Sequence, residues 1–238
     1  MRPMFFDTYT WRARLQPLLI VALPLVLSAF PWLSGIPGAW SILGELFVWC
    51  GGAALLAQVG RDWGEKKESE LFRLWGGMPT TRLLRHRDAT NKVLLERCHV
   101  KLAELLPGMR IPSAQQERED PDAADQIYET CTASLRQKTR DKKRFPLIFE
   151  ENCNYGFRRN LWGMRPVGIA IAAFGTVALG IVLFVSHYKQ IATSPFSFVC
   201  ELGNILLLVG WSFLFTPEWV RIPAEAYAER LLAACEDL

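Results

Sequence analysis

A chain of 238 residues that is 50% hydrophobic, 21% charged and +3 in net charge is compatible, on averages, with an ordinary soluble domain. Its six cysteines are widely spaced and form no CxxC pair, which argues against a zinc site or a disulfide framework. The information lies in how apolar and charged residues are distributed.

The two kinds are sorted into blocks. Residues 15–60 hold one charged residue, Glu45, and residues 166–219 hold Lys189, Glu201 and Glu218. Residues 61–165 between them carry 21 Lys and Arg against 16 Asp and Glu. Blocks of this kind are expected when lipid receives the apolar surface. No small-residue cleavage site follows the first apolar run, so a cleavable leader is not expected.

In chain order, the first expected span is 15–33, after Arg2, Arg12 and Arg14. A tight turn at 34–38 leads to a second span at 39–59, followed by Arg61, Lys66 and Lys67. A charged helix should continue over 61–75 and stop at Gly76-Gly77. A new helix is expected from Thr80-Thr81 to about residue 106, with a threonine hydroxyl as its cap. The Pro-, Gln- and acid-rich stretch 110–122 reads as a loop, and 123–143 as a helix broken by Phe145-Pro146. Residues 147–164 lead into a third span at 166–186, and a short loop joins it to a fourth at 196–215.

The expected fold is therefore an all-α integral membrane protein, two transmembrane hairpins flanking a cytosolic helical domain. Its parts are 1–60, 61–165, 166–216 and a C-terminal helix at 217–238. The two hairpin loops contain only Lys189 among basic residues, whereas the other span ends are rich in arginine and lysine. That bias places both termini and the central domain in the cytoplasm. Trp32, Trp40, Trp162, Trp211 and Trp219 lie near span ends, where the ring suits the headgroup layer. Gly51, Gly52, Ala53, Ala54, Gly168, Ala172, Ala173 and Gly175 would let helices approach closely.

Two polar clusters stand out. In WGGMPTTRLLRHRD (75–88), a helix start at Thr80 and Thr81 meets Arg82, Arg85, His86 and Arg87. A helix N-terminus with arginine forks suits a phosphate. The same residues also suit a capped helix beside an anionic membrane. In ENCNYGFRRNLWG (151–163), Tyr155 and Phe157 can stack on a base or pack under headgroups, and Arg158 and Arg159 can hold a ligand or anchor a span.

Within the spans, Glu45, Glu201 and Asn204 are polar groups at a depth where they are costly. In an oligomer the two carboxylates can form a cation-favouring ring, or they can reach interfacial water. No catalytic motif is recognisable, and no enzymatic activity, cofactor or metal is expected.

The two motifs and the hairpin–insert–hairpin layout resemble the bacterial four-span pore-forming effectors that accompany nucleotidyltransferases in anti-phage defence, the Hailong-type membrane effectors. The resemblance implies an inner-membrane homo-oligomer, a tetramer, gated by a nucleotide or single-stranded oligonucleotide made by the partner enzyme. The signal would then meet Arg82, Arg85, His86, Arg87, Arg158 and Arg159. The competing expectation is a membrane-anchored binding module without pore activity.

Overall fold

The structure, a computed structural model, describes residues 7–33, 38 and 52–238. Among them helix dominates and no strand occurs. Most of the second expected span lies outside the described residues, with Glu45, Arg2, Trp40 and Gly51. The first hairpin therefore has no structural counterpart to report.

Two compact units divide the chain. One combines Met1–Glu68 with Gly156–Val220, the other Ser69–Tyr155 with Arg221–Leu238. The C-terminal residues thus belong to the charged unit, although the sequence reading had set 217–238 apart.

In the first unit a π-helical segment, Thr10–Leu15, runs into α1, Gln16–Leu33. Helix α2 is Gly52–Lys66. Helix α8, Pro146–Tyr188, contributes its C-terminal part, and α9 is Pro195–Phe213. Among the described residues, three helices are long and apolar enough to cross a membrane: Thr10–Pro31, Pro146–Tyr188 and Pro195–Phe213.

Helices α8 and α9 run antiparallel. Arg165 donates to the carbonyls of Trp211 and Ser212 at 3.1 and 2.6 Å, and Gly175 and Gly180 lie beside Asn204 and Glu201. Helix α1 is antiparallel to α9, with Ser28 bonded to Asn204 and Phe30 5.0 Å from Phe196. Small residues allow this closeness: a Cβ at Gly163 would lie 2.7 Å from the Gly64 backbone. The outer faces are apolar, with Phe174, Val177, Ile181, Phe184, Phe198, Leu202, Leu206 and Phe213 all exposed. A contiguous surface of that kind calls for an apolar medium or partner.

The tryptophans differ from expectation. Trp162 and Trp211 are buried, and Trp219 packs on Phe215 and under Arg158. Their rings fill the helix packing instead of projecting outward.

In the second unit, α3 (Glu68–Leu74) follows a break at Lys67, so the continuous 61–75 helix is two helices. It stops where expected. Gly76, at φ +77°, donates to Arg73 O, and Gly77 donates to Phe72 O at 2.7 Å, a Schellman closure that glycine permits. The short α4, Pro79–Arg82, has Met78 before it and proline at its first position. No threonine caps it; Thr80 and Thr81 lie inside the turn, buried.

The helix expected to reach residue 106 breaks at once. After a turn, α5 (Lys92–Leu105) starts anew with Asn91 Oδ1 accepting from Leu94 N at 3.1 Å. The loop expected at 110–122 is helical from Ala114, apart from Asp120. Ser113 and Gln116 form a capping box for α6, Ala114–Glu119, and Asp120 caps α7, Pro121–Lys138, with proline again at the first position. Helix α10, Pro217–Ala233, ends in a 3-10 turn at Ala234–Glu236. Leu84, Leu102, Tyr128, Leu135, Ile148 and Leu231 form the core of this unit. Its C-terminal residues are tied in by Arg97–Glu236 at 2.9 Å and by Arg144 on the Asp237 carbonyl.

Candidate functional site

The turn after α4 is built around two buried charges. Arg85 is 7% exposed. Its Nε and Nη2 donate to the two oxygens of Asp125 at 2.8 and 2.6 Å, and Nη1 donates to Gly76 O at 2.7 Å and Asp88 at 3.1 Å. The planar fork expected to meet a phosphate is filled by a carboxylate of the same unit. Burial pulls this guanidinium down, but the bonds to Asp125 and Asp88 outweigh it and leave the group above its ordinary value.

The second charge is Glu117, 1% exposed. Its carboxylate accepts from the backbone N–H groups of His86 at 2.7 Å and Arg87 at 3.1 Å, and from the Tyr128 hydroxyl at 2.9 Å. Those two N–H groups are thereby taken out of any helical ladder, which is why the expected helix breaks here. Burial pushes Glu117 up, yet the three donors and Arg87 prevail and hold it below the usual carboxylate range. Tyr128 is correspondingly raised, by burial first and then by its bond to Glu117.

Two histidines join this core. His86 Nε2 is 3.1 Å from Pro112 O and His99 Nε2 is 2.9 Å from Leu84 O. A carbonyl only accepts, so each Nε2 carries the hydrogen. The rings meet edge to face at 4.9 Å, and His99 stacks on Tyr128. Burial lowers His99 below the ordinary imidazole value.

Beside the turn opens a cleft of about 370 Å³, lined by His86, Arg87, Lys92, Glu96 and Arg118 over Glu117. Its lining sets Arg87, Lys92 and Arg118 against Glu96 and Glu117, with Glu117 further held by backbone and hydroxyl donors. Arg87 is more exposed than the other motif arginines and touches Asp125 at 3.3 Å and Glu117 at 3.8 Å. A larger cleft of about 510 Å³ lies between α5 and the end of α10, but Asp88, Glu229 and Glu236 line it against one Arg230. Its charge is wrong for an anion.

Of the motif residues expected to share a site, His86 and Arg87 face the basic cleft. Arg82 lies 4.0 Å from Asp88 and 3.6 Å from Glu225. The hydroxyls of Thr80 and Thr81 and the Trp75 indole N–H are buried without a partner among the described residues. Lys92 and Arg118 were missed by the sequence reading. Arg118 sits where a loop was expected, and only the capping box at Ser113 and Gln116 signals the helix that presents it.

The second motif divides between the units. Tyr155 is half-buried in the charged unit. In the first unit, Arg158 donates to Trp219 O at 2.8 Å and stacks over its ring, and Arg159, buried, pairs with Glu68 at 3.0 Å. Both arginines thus tie the ends of helices together. Glu201 and Asn204 line the contact between α8, α9 and α1.

No family model, curated protein or solved structure matches this chain. The functional reading therefore rests on the chain's own chemistry and on the motif resemblance.

Proposed function

We propose that this chain is a multi-pass effector of a bacterial inner membrane that assembles into a homo-oligomeric pore, a tetramer on the family pattern. An anionic signal, a nucleotide or a single-stranded oligonucleotide, binds the His86–Arg118 cleft and sets whether the pore conducts. The observation that carries this reading is a cleft whose lining brings Arg87, Lys92, Arg118 and His86 together against Glu96 and a Glu117 carboxylate already held by backbone and hydroxyl donors. The apolar outer faces of α8 and α9 support a lipid environment, and the motif resemblance supports the defence role.

The test is conductance of the purified chain in planar bilayers, with and without short single-stranded oligonucleotides, alongside direct binding. Lys92→Ala and Arg118→Ala should each weaken oligonucleotide binding about tenfold, the loss of one charge-assisted contact. Stability should move by no more than about 0.5 kcal/mol, since both side chains are exposed. Unaltered conductance and no binding by the wild type would overturn the reading. Displacement by any polyanion at modest salt would mark diffuse attraction instead.

A second reading, an anchored binding module without a pore, draws on the self-contained core of the charged unit. Oligonucleotide binding with no current in any condition would select it.

A further inference from the structure

The first unit holds polar groups that the basic cleft does not use. Asn204 on α9 is fully buried; its Nδ2 donates to Ser28 Oγ on α1 at 3.0 Å, and Ser28 donates to Pro24 O at 2.8 Å. Three oxygens in the same packing are buried and lack a partner among the described residues: Asn204 Oδ1, Thr176 Oγ1 and Glu201 Oε2. Glu201 and Asn204 are three residues apart on α9 and share a face. On α8, a Cβ at Gly175 would lie 2.7 Å from Ser28 Oγ and 3.5 Å from Asn204 Nδ2, and one at Gly180 would lie 3.4 Å from Glu201 Oε1. Thr176 is four residues before Gly180, which puts its hydroxyl on the side of α8 that meets Glu201.

The orphan atoms beside Gly175 and Gly180 are oxygens, the unit's two orphan nitrogens (Arg14 Nε and Trp211 Nε1) lie elsewhere, by Tyr9 and Gly168, and no ion pair reaches Glu201 among the described residues. A bare carboxylate among apolar helices needs a counter-charge. A proton would satisfy the carboxylate and one acceptor. A hard cation satisfies several oxygens together and prefers oxygen to nitrogen or sulfur. One carboxylate balances one positive charge, which selects a monovalent ion. Close packing at Gly175, where even a methyl group collides, selects a small one.

We propose that the seam between α1, α8 and α9 is a binding site for a sodium-sized monovalent cation. The Glu201 carboxylate, Asn204 Oδ1 and Thr176 Oγ1 hold it. The inference rests on the membrane-spanning part of the proposed function, because lipid denies the seam water, but not on the cytosolic cleft.

The experiment is thermal unfolding of the full chain in lipid nanodiscs, followed by tryptophan fluorescence. Sodium, potassium and N-methylglucamine chloride are compared at equal ionic strength and pH. Sodium should raise the midpoint progressively with its concentration, as mass action requires, and N-methylglucamine should not. Glu201→Gln and Asn204→Ala should keep a cooperative melt and lose the sodium-dependent rise. Because either variant can misfold, binding of radioactive sodium to the wild type is measured too; displacement by unlabelled sodium but not by choline is expected. A midpoint blind to cation identity, a sodium rise that survives Glu201→Gln, or a response to pH alone would each overturn the site. Oligonucleotide-dependent currents with no sodium effect on the melt would sink this inference and leave the pore reading standing. A sodium-dependent melt in a chain that conducts nothing would do the reverse.

Discussion

Arg85 and Glu117 show why residue type in a motif does not tell which way a side chain points. The sequence marks Arg85 as one of four basic groups between residues 82 and 87. In the fold it is a clip that fastens α7, the glycine turn and its own turn together. Glu117 was not singled out at all, yet it holds two backbone N–H groups and Tyr128. Removing one member of a buried charge-assisted set leaves the others unpaired, so Glu117→Ala should destabilise the charged unit by about 3 kcal/mol. Urea unfolding followed by circular dichroism reads this directly. The pH dependence has a defined sign. His99 titrates below its ordinary value in the fold, so on acidification the unfolded chain takes up a proton first. Its contribution is intact above about pH 6.5 and declines as pH falls below that. Glu117 is depressed as well, so its contribution persists until pH falls into the carboxylate range, then disappears. The unfolding midpoint should therefore drop in two stages on acidification. Stability that rose between pH 7 and pH 5 would refute the His99 assignment, and stability unchanged on further acidification through the carboxylate range would refute that of Glu117.

Among elements, the ends were more legible than the interiors. Gly76-Gly77 stops a helix as read, because glycine takes up the positive φ that a Schellman turn needs without a Cβ penalty. Phe145-Pro146, read as the breaker of a helix over 123–143, instead begins α8, since proline suits a first turn, and α7 has already ended at Lys138. Several of the unread helix starts are marked by short polar caps. Asn91, Ser113 and Asp120 each take up free N–H groups at a helix start, and all three stand in the sequence in recognisable positions. The break between α4 and α5 was not legible, since a carboxylate some thirty residues away makes it. The C-terminal helix was set apart because its contacts are equally non-local. Leu231, Leu232, Ala234 and Cys235 are buried in the core of the charged unit. Residues 61–165 expressed alone should consequently stay largely unfolded, with no cooperative melt. The same segment joined through a flexible linker to 221–238 should fold, as circular dichroism and a thermal melt would show. A cooperative melt of the short fragment would contradict the part assigned to α10.

For the whole molecule, hydropathy was legible because every residue of a long apolar helix carries the pattern, whereas a site depends on a few. Helix α8 shows both regimes in one element. Its 43 residues extend about 65 Å at 1.5 Å per residue, about twice the hydrocarbon thickness of a bilayer. On the proposed function only about half of it fits in lipid, and composition tells the halves apart. Glu150, Glu151, Arg158, Arg159 and Arg165 occupy the N-terminal part, and no Asp, Glu, Lys or Arg follows within the helix. On the proposed reading the second half enters the membrane from the cytoplasm, turns between Tyr188 and Pro195, and returns as α9. Alkaline phosphatase, active only outside the cytoplasm, should therefore be active when fused at Ser194 and inactive when fused after Leu238. The fusions should also resist extraction by alkaline carbonate. Activity at Leu238 with silence at Ser194 would invert the topology and move the basic cleft to the side where no cytosolic nucleotide could reach it.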